Sequence, residues 1–258
     1  MTESLVRFAL DGAVVRLTLD SPHNRNALSS ALVVQLHSGL TRAADDPAVR
    51  AVVLGHTGGT FCAGADLSEA TAGDPKQAAT ERAHALAGLL RAIVECPVPV
   101  IAAIDGHVRA GGMGLVGACD IAIAGPGSTF ALTEARLGVA PAIISLTLLP
   151  KLTPRAAARY YLTGETFTAQ RAAEIGLVTE AAENVVSAVD TVTAELAKAS
   201  PQGLAASKAL TTATVLAGFD RDAQRLTEDS ARLFVSDEAR EGMLAFLEKR
   251  PPRWAAPL

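Results

Sequence analysis

One carboxylate, Glu134, stands in "STFALTEARLGVAP" (128–141), where most of the other residues are apolar or small. Buried among them it would ionise less readily than in water, and a raised pKa would suit it to proton transfer near neutrality. Two other stretches offer chemistry through the main chain. "VRAGGMGLVGACD" (108–120) sets Gly111, Gly112 and Gly114 behind an apolar strand, with Gly111-Gly112 at a helix start. The first N–H groups of a helix are unpaired and partly positive, and glycine lets another group come close to them. "GGTFCAGADLSE" (58–69) repeats the pattern, with Ala63-Gly64-Ala65 expected just before a helix. Two such turns can aim two N–H donors at one oxygen, as a carbonyl or thioester gathering negative charge requires. Taken singly, each feature has a plainer reading: glycines that let a helix pack on a strand, a glutamate in a surface ion pair. "AGGMG" is not a GxGxxG nucleotide fingerprint, and no P-loop sequence is present.

The positioning elements follow from periodicity. "VRLTL" within Val14–Leu19 alternates as a strand, and "ALSSALVVQLHSGLTRAA" has helical spacing at Leu32, Leu36 and Leu40. "AVVLGH" (51–56), "VPVIAAIDG" (98–106), "DIAIAG" (120–125) and "TFAL" (129–132) read as strands, the last two close together. Helices are expected over 153–164 and 168–176, with Thr168 as N-cap and Gly164 and Gly176 as stops, and a short strand over 177–180. Three more helices are expected at about 183–199, 201–217 and 219–247, the last broken near Ser236-Asp237. Strands alternating with helices indicate an α/β layered fold, and the change to all-helical sequence places a boundary near residue 197.

The 258 residues are 49% hydrophobic and 19% charged, enough for a substantial core, with a net charge of −4 and no basic run longer than two. That balance argues against nucleic acid as a partner. The apolar run Val98–Ile104 is seven residues long and interrupted by Pro99, far short of a membrane span, so no membrane association is expected. Cys62, Cys96 and Cys119 follow no metal or disulfide spacing and suit a reducing cytoplasm; the N-terminus lacks the features of a signal peptide. Nothing points to a metal, flavin or nicotinamide.

In order, "LDSPHNRNALSSAL", "FCAGADL", "PVIAAIDGHVRAGGMGLVGACDIAIA", "FALTEARLGVAP", "YLTGETFTAQRAAEIGLV" and "FLEKR" (246–250) resemble the crotonase, or enoyl-CoA hydratase/isomerase, superfamily over nearly the whole chain. The resemblance implies a spiral of ββα units over 1–197 holding the acyl-CoA site. A helical region at 198–258 would follow, building a homotrimer that can pair into a hexamer. It implies an acyl-CoA thioester as substrate, with CoA part of the substrate and no separate cofactor. Ala65 and Gly111 would supply the two oxyanion N–H groups and Glu134 the acid–base group. Arg25, the backbone of Ala63, Gly64, Ala65, Asp66 and Leu67, and Gly112 would hold CoA, while Phe246 and Lys249 would reach the CoA of a neighbouring subunit.

Two departures qualify the resemblance. Family hydratases commonly carry a second glutamate, which would fall at 114, where this chain has Gly114; and a segment usually rich in glycine reads "PAIIS" (141–145). Glycine can neither accept a proton nor orient water. The likeness to bacterial methylglutaconyl-CoA hydratases in "TEARLGVAPAIIS" and "AARYYLTGETFTAQRAAEIGL" favours hydration of a branched enoyl-CoA. His107, Arg109 or Arg136 would then pair with a distal carboxylate. A Δ3,Δ2-enoyl-CoA isomerase needs only one base, and a non-catalytic acyl-CoA binder needs none; both stay open.

Overall fold

The computed structural model describes residues 3–69 and 74–255. β1 (Val6–Asp11) and β2 (Val14–Leu19) form an antiparallel hairpin. β2 then pairs in parallel with β3 (Ala51–His56), which pairs with β5 (Val100–Ile104), and β5 with β7 (Ile121–Ala124). β10 (Glu180–Ala181) closes this six-stranded sheet in the order β1-β2-β3-β5-β7-β10. β3 and β5 are mostly buried, which is why they read as continuous apolar runs.

A second sheet, β4-β6-β8-β9, is made of β4 (Thr60–Cys62), β6 (His107–Arg109), β8 (Thr129–Ala131) and β9 (Phe167–Thr168). Each neighbouring pair of strands thus divides between the two sheets: β3 with β4, β5 with β6, β7 with β8. A helix follows two of these pairs, α2 (Pro75–Glu95) after β4 and α3 (Gly111–Ala118) after β6. This is the expected spiral of ββα units. α1 (Ser30–Ala44) precedes it, begun by Ser29, whose side chain accepts from Leu32 N–H at 3.2 Å. The principal core joins α1, α2 and α3 to one face of the large sheet, and α7 (Val185–Leu196) packs on the other.

After β8 come α4 (Ser145–Leu148), α5 (Pro154–Thr163) and α6 (Ala169–Glu174), and after α7 come α8 (Pro201–Phe234) and α9 (Asp237–Leu247). Three expectations are corrected here. The strand expected at 177–180 starts only at Glu180: Leu177 and Val178 N–H both return to Ala172 O, at 2.9 and 3.3 Å, closing α6, and pairing to the sheet begins with Thr179 N–H on Ala122 O at 2.7 Å. The helices expected at 201–217 and 219–247 are one unbroken helix to Phe234. Gly218 faces open space there, and packing along α2 outweighs the cost of about 1 kcal/mol for glycine within a helix. The break at Ser236 does occur, with its side chain accepting from Ala239 N–H at 3.2 Å. Finally, no helix starts within 66–69, where the Asp66 carboxylate accepts from Ser68 N–H at 2.9 Å and holds a turn.

Candidate active site

Glu134 opens a single 3₁₀ turn, Glu134–Leu137, directly past the end of β8. The strand delivers it to the interior, and the side chain is 8% exposed. Among the described residues its Oε2 has no hydrogen-bond partner. Burial pushes the carboxyl up from its ordinary 4.5 to about 7, opposed only by a hydrogen bond from its own main-chain N–H. At neutral pH such a group is close to half ionised, so it can both take and give a proton.

The two main-chain turns meet beside it. Gly64 has φ +92°, and a Cβ there would lie 2.8 Å from Ala110 Cβ and 3.3 Å from Gly111 N. Only glycine allows both that conformation and that approach. Ala110, at φ +44° and ψ −119°, is strained for an L-residue by roughly 1–3 kcal/mol, and it sets the start of α3 at Gly111. The Ala65 turn is fixed differently from the sequence expectation, by pairing and not by a helix. Leu28 forms a parallel bridge with Ala65: Leu28 N–H donates to Gly64 O at 2.7 Å and Asp66 N–H to Leu28 O at 3.4 Å. Because the flanking residues make both bonds, the N–H of Ala65 itself faces away from Leu28. Among the described residues, no acceptor is found for the N–H of Ala65 or of Gly111.

Ala65, Gly111 and Glu134 line one cavity of about 390 Å³, largely apolar. Arg25, Ala63, Asp66, Leu67 and Phe246 line it too. Asp66 is tied down by Ser68 and Asn24, and the Ser68 hydroxyl first among these holds its carboxyl below the usual range. Gly64 and Gly112 stand behind the wall, Gly112 so close to Cys62 that a Cβ would meet Cys62 O at 2.7 Å. Lys249 does not line the cavity, whereas Phe246 does so in its own chain. Arg109 is on the wall, its guanidinium donating to Val108 O at 2.8 Å, Thr129 O at 2.7 Å and Thr129 Oγ1 at 2.9 Å. His107 and Arg136 are not; they bond Thr129 Oγ1 at 2.8 Å and Thr163 O at 2.8 Å.

Sequence reasoning missed several wall residues. Arg82 and Leu86 of α2, Phe234 of α8 and Met243 of α9 all line the cavity. The i, i+4 spacing of Arg82 and Leu86 was a usable signal, but the contributions of α8 and α9 needed the tertiary fold. Ile144 also lines it, from the segment noted only for lacking glycine. Among the described residues no group of three or more His, Cys, Asp or Glu is placed to hold a metal, and no helix is long and apolar enough to cross a membrane.

Comparison with known proteins agrees with this fold. Residues 10–257 match the enoyl-CoA hydratase/isomerase family. The crystal structure of an enoyl-CoA hydratase from Mycobacterium avium superposes with a TM-score of 0.93 at 69% identity, covering 98% of this chain and 100% of that one. The carnitinyl-CoA dehydratase of Proteus mirabilis is 34% identical over 98% of this chain and 99% of its own length. The mevalonyl-coenzyme A hydratase of Aspergillus fumigatus is 32% identical over 93% of this chain and 91% of its own.

Proposed function

The chain belongs to the enoyl-CoA hydratase/isomerase family, and from that premise we propose that it adds water to, or removes it from, a 2-enoyl-CoA thioester with Glu134 as its acid–base group. The observation that carries this reading is the buried Glu134 carboxyl, its Oε2 without a partner among the described residues and its pKa near 7, sharing a cavity with the N–H groups of Ala65 and Gly111. The thioester oxygen accepts from both amides, which draws electron density from the conjugated double bond. Glu134 takes a proton from water as the oxygen bonds to the β carbon, and the α carbon gains a proton as the enolate collapses. Water is consumed whole, OH at one carbon and H at the other. Removing one such amide donor typically costs about 2.7–4 kcal/mol of barrier lowering. Arg25 and the backbone from Ala63 to Leu67 hold the CoA portion, with Phe246 at the rim; Gly112 keeps the α3 start close to that turn, and Lys249, off this wall, serves the CoA of a neighbouring subunit. CoA enters as part of the substrate, and the reaction calls for no further cofactor.

The experiment is turnover of crotonyl-CoA in ¹⁸O-labelled water. The native enzyme puts label into the 3-hydroxyacyl product, and Glu134→Gln lowers kcat by about 10²–10⁴-fold with CoA-ester binding nearly intact. Binding without turnover across a panel of enoyl thioesters would reduce the protein to an acyl-CoA binder.

A branched substrate with a distal carboxylate, such as methylglutaconyl-CoA, is favoured by Arg109 on the cavity wall. Its three hydrogen bonds leave two of five guanidinium N–H groups for a ligand. An unchanged KM for that thioester in Arg109→Ala would remove Arg109 from the role. A second reading, Δ3,Δ2-isomerisation by Glu134 alone, is favoured by the absence of any side chain at Gly114; a 3-enoyl substrate converted without label uptake would support it. We place the enzyme in the cytoplasm, consistent with three free, buried thiols. We assign it a homotrimer or hexamer, consistent with Leu247 and Trp254 exposed near the C-terminus.

A further inference from the structure

Behind the cavity wall, the two departures noted in the sequence meet. A Cβ at Gly114 would lie 2.5 Å from Ile144 Cγ2, 3.0 Å from Ile144 Cβ and 3.2 Å from Leu90 Cδ1. Side chains do not pack that closely, so the volume a residue at 114 would need is already filled by Ile144. Ile144 lines the cavity and Gly114 does not, which puts Ile144 between the bound ligand and the backbone of α3. Its place is fixed. The Thr147 hydroxyl shares its one proton between Gly114 O at 3.0 Å and Ile144 O at 3.2 Å, tying the 144–147 turn to α3. The Ile144 side chain is fully packed and β-branched, hence stiff about χ1. Glycine at 114 and isoleucine at 144 are therefore one compensated pair.

We propose that Ile144 is the specificity-determining residue of this site: by occupying the space in front of Gly114 it closes the cavity with a hydrocarbon wall and selects acyl groups by their bulk near the reacting carbons. The proposal rests on the acyl-CoA reading for the identity of the ligand. The wall leaves no polar group at 114 to share the work of Glu134, and it favours compact acyl groups over β-branched ones, which weighs against the branched substrate that Arg109 alone would suit. One methylene in such a pocket is worth roughly 10–200-fold in discrimination.

The test compares butyryl-CoA with the bulkier isovaleryl-CoA, by calorimetry, in the native protein and in Ile144→Ala. Neither ligand has a double bond to hydrate, so the result does not depend on catalysis. The expected result is that the isovaleryl-to-butyryl affinity ratio rises by about 10-fold or more in Ile144→Ala. Ile144→Val, which keeps more of the packing, should move the ratio in the same direction by less and serves if the alanine variant folds poorly. Gly114→Ala tests the pair: alone it drives Ile144 into the cavity and lowers the ratio, and combined with Ile144→Ala its effect disappears, a non-additivity expected only of residues in contact. A ratio unchanged in both Ile144 variants, or additive effects at 114 and 144, would overturn the proposal. Shifted ratios in a protein that turns over no enoyl thioester would instead sink the hydratase reading and leave this one standing.

Discussion

Two inward-facing carboxylates of this protein, Asp120 and Glu134, have surroundings that could hardly differ more. Asp120, at the start of β7, meets Lys208 of α8: Lys208 Nζ lies 2.7 Å from Asp120 Oδ2 and also donates to Ile93 O at 2.9 Å and Val98 O at 3.2 Å. Asp120 Oδ2 takes a second bond from Val100 N–H at 2.8 Å. The cluster ties α8 to the end of α2 and the start of β5 with every charge answered. Among the described residues Glu134 meets no cation, and its Oε2 has no partner. Buried polar groups are normally satisfied, and an unsatisfied one needs a reason. Among the described residues one other such atom is found, His56 Nδ1. It belongs to a ring whose Nε2 accepts from Asp105 N–H at 3.0 Å, and burial lowers the pKa of that ring, favouring its neutral form. The comparison teaches that burial alone does not mark a working site here. An answered charge holds helices in place, while an unanswered one beside free amides awaits a ligand.

The strongest way to break this contrast is to unbalance the satisfied cluster. Lys208→Met leaves the largely shielded Asp120 without its cation and should cost about 3 kcal/mol of unfolding free energy in urea titrations. Pairing it with Asp120→Asn should recover a good part of that loss. If Lys208→Met alone is neutral, the cluster is not the structural counterpart described here.

The next effect is smaller and comes from Glu134. Its carboxyl keeps a proton to about pH 7 when folded and loses it near 4.5 when unfolded, so the native state holds more protons between those values. Stability should therefore fall as pH rises through that window, by about 3 kcal/mol from this group. Glu134→Gln should flatten that slope while Lys208→Met leaves it in place. Equal slopes in native and Gln proteins would place the titration elsewhere.

The smallest effect calibrates the others. Ser236→Ala removes the cap of α9 and should cost about 1 kcal/mol, with little change in the affinity for CoA esters, because the cap touches neither Asp120 nor Glu134. A large loss of affinity would mean that the placement of α9, which carries Met243 and Phe246 to the cavity, depends on that single bond.

Much of this architecture was legible residue by residue. β2, β3 and β5 announced themselves through alternation or unbroken apolar runs, and Thr168 and Gly164 marked helix ends because caps are local chemistry. β1 left no clear signal: it is an edge strand, with four of its six residues exposed, Arg7 and Asp11 among them, so no buried face imposes a pattern. The continuity of α8 through Gly218 was illegible because packing along α2, absent from the sequence, decides it. The same division runs through the site. Glu134 stood out as one acid in an apolar stretch, and the glycine turns as bare backbone. The match between Gly114 and Ile144 spans thirty positions and exists only once α3 and the 144–147 turn are packed together.

The central claim is that Glu134 is a buried acid poised to exchange protons beside two free amides. Infrared difference titration of its carboxyl band, native against Glu134→Gln, tests it most directly. A protonated carboxyl band that belongs to Glu134 and titrates with a midpoint near 7, matched by an inflection in kcat/KM at the same pH, is the expected result. A midpoint between 4 and 5, the ordinary range for an exposed glutamate, would contradict the account.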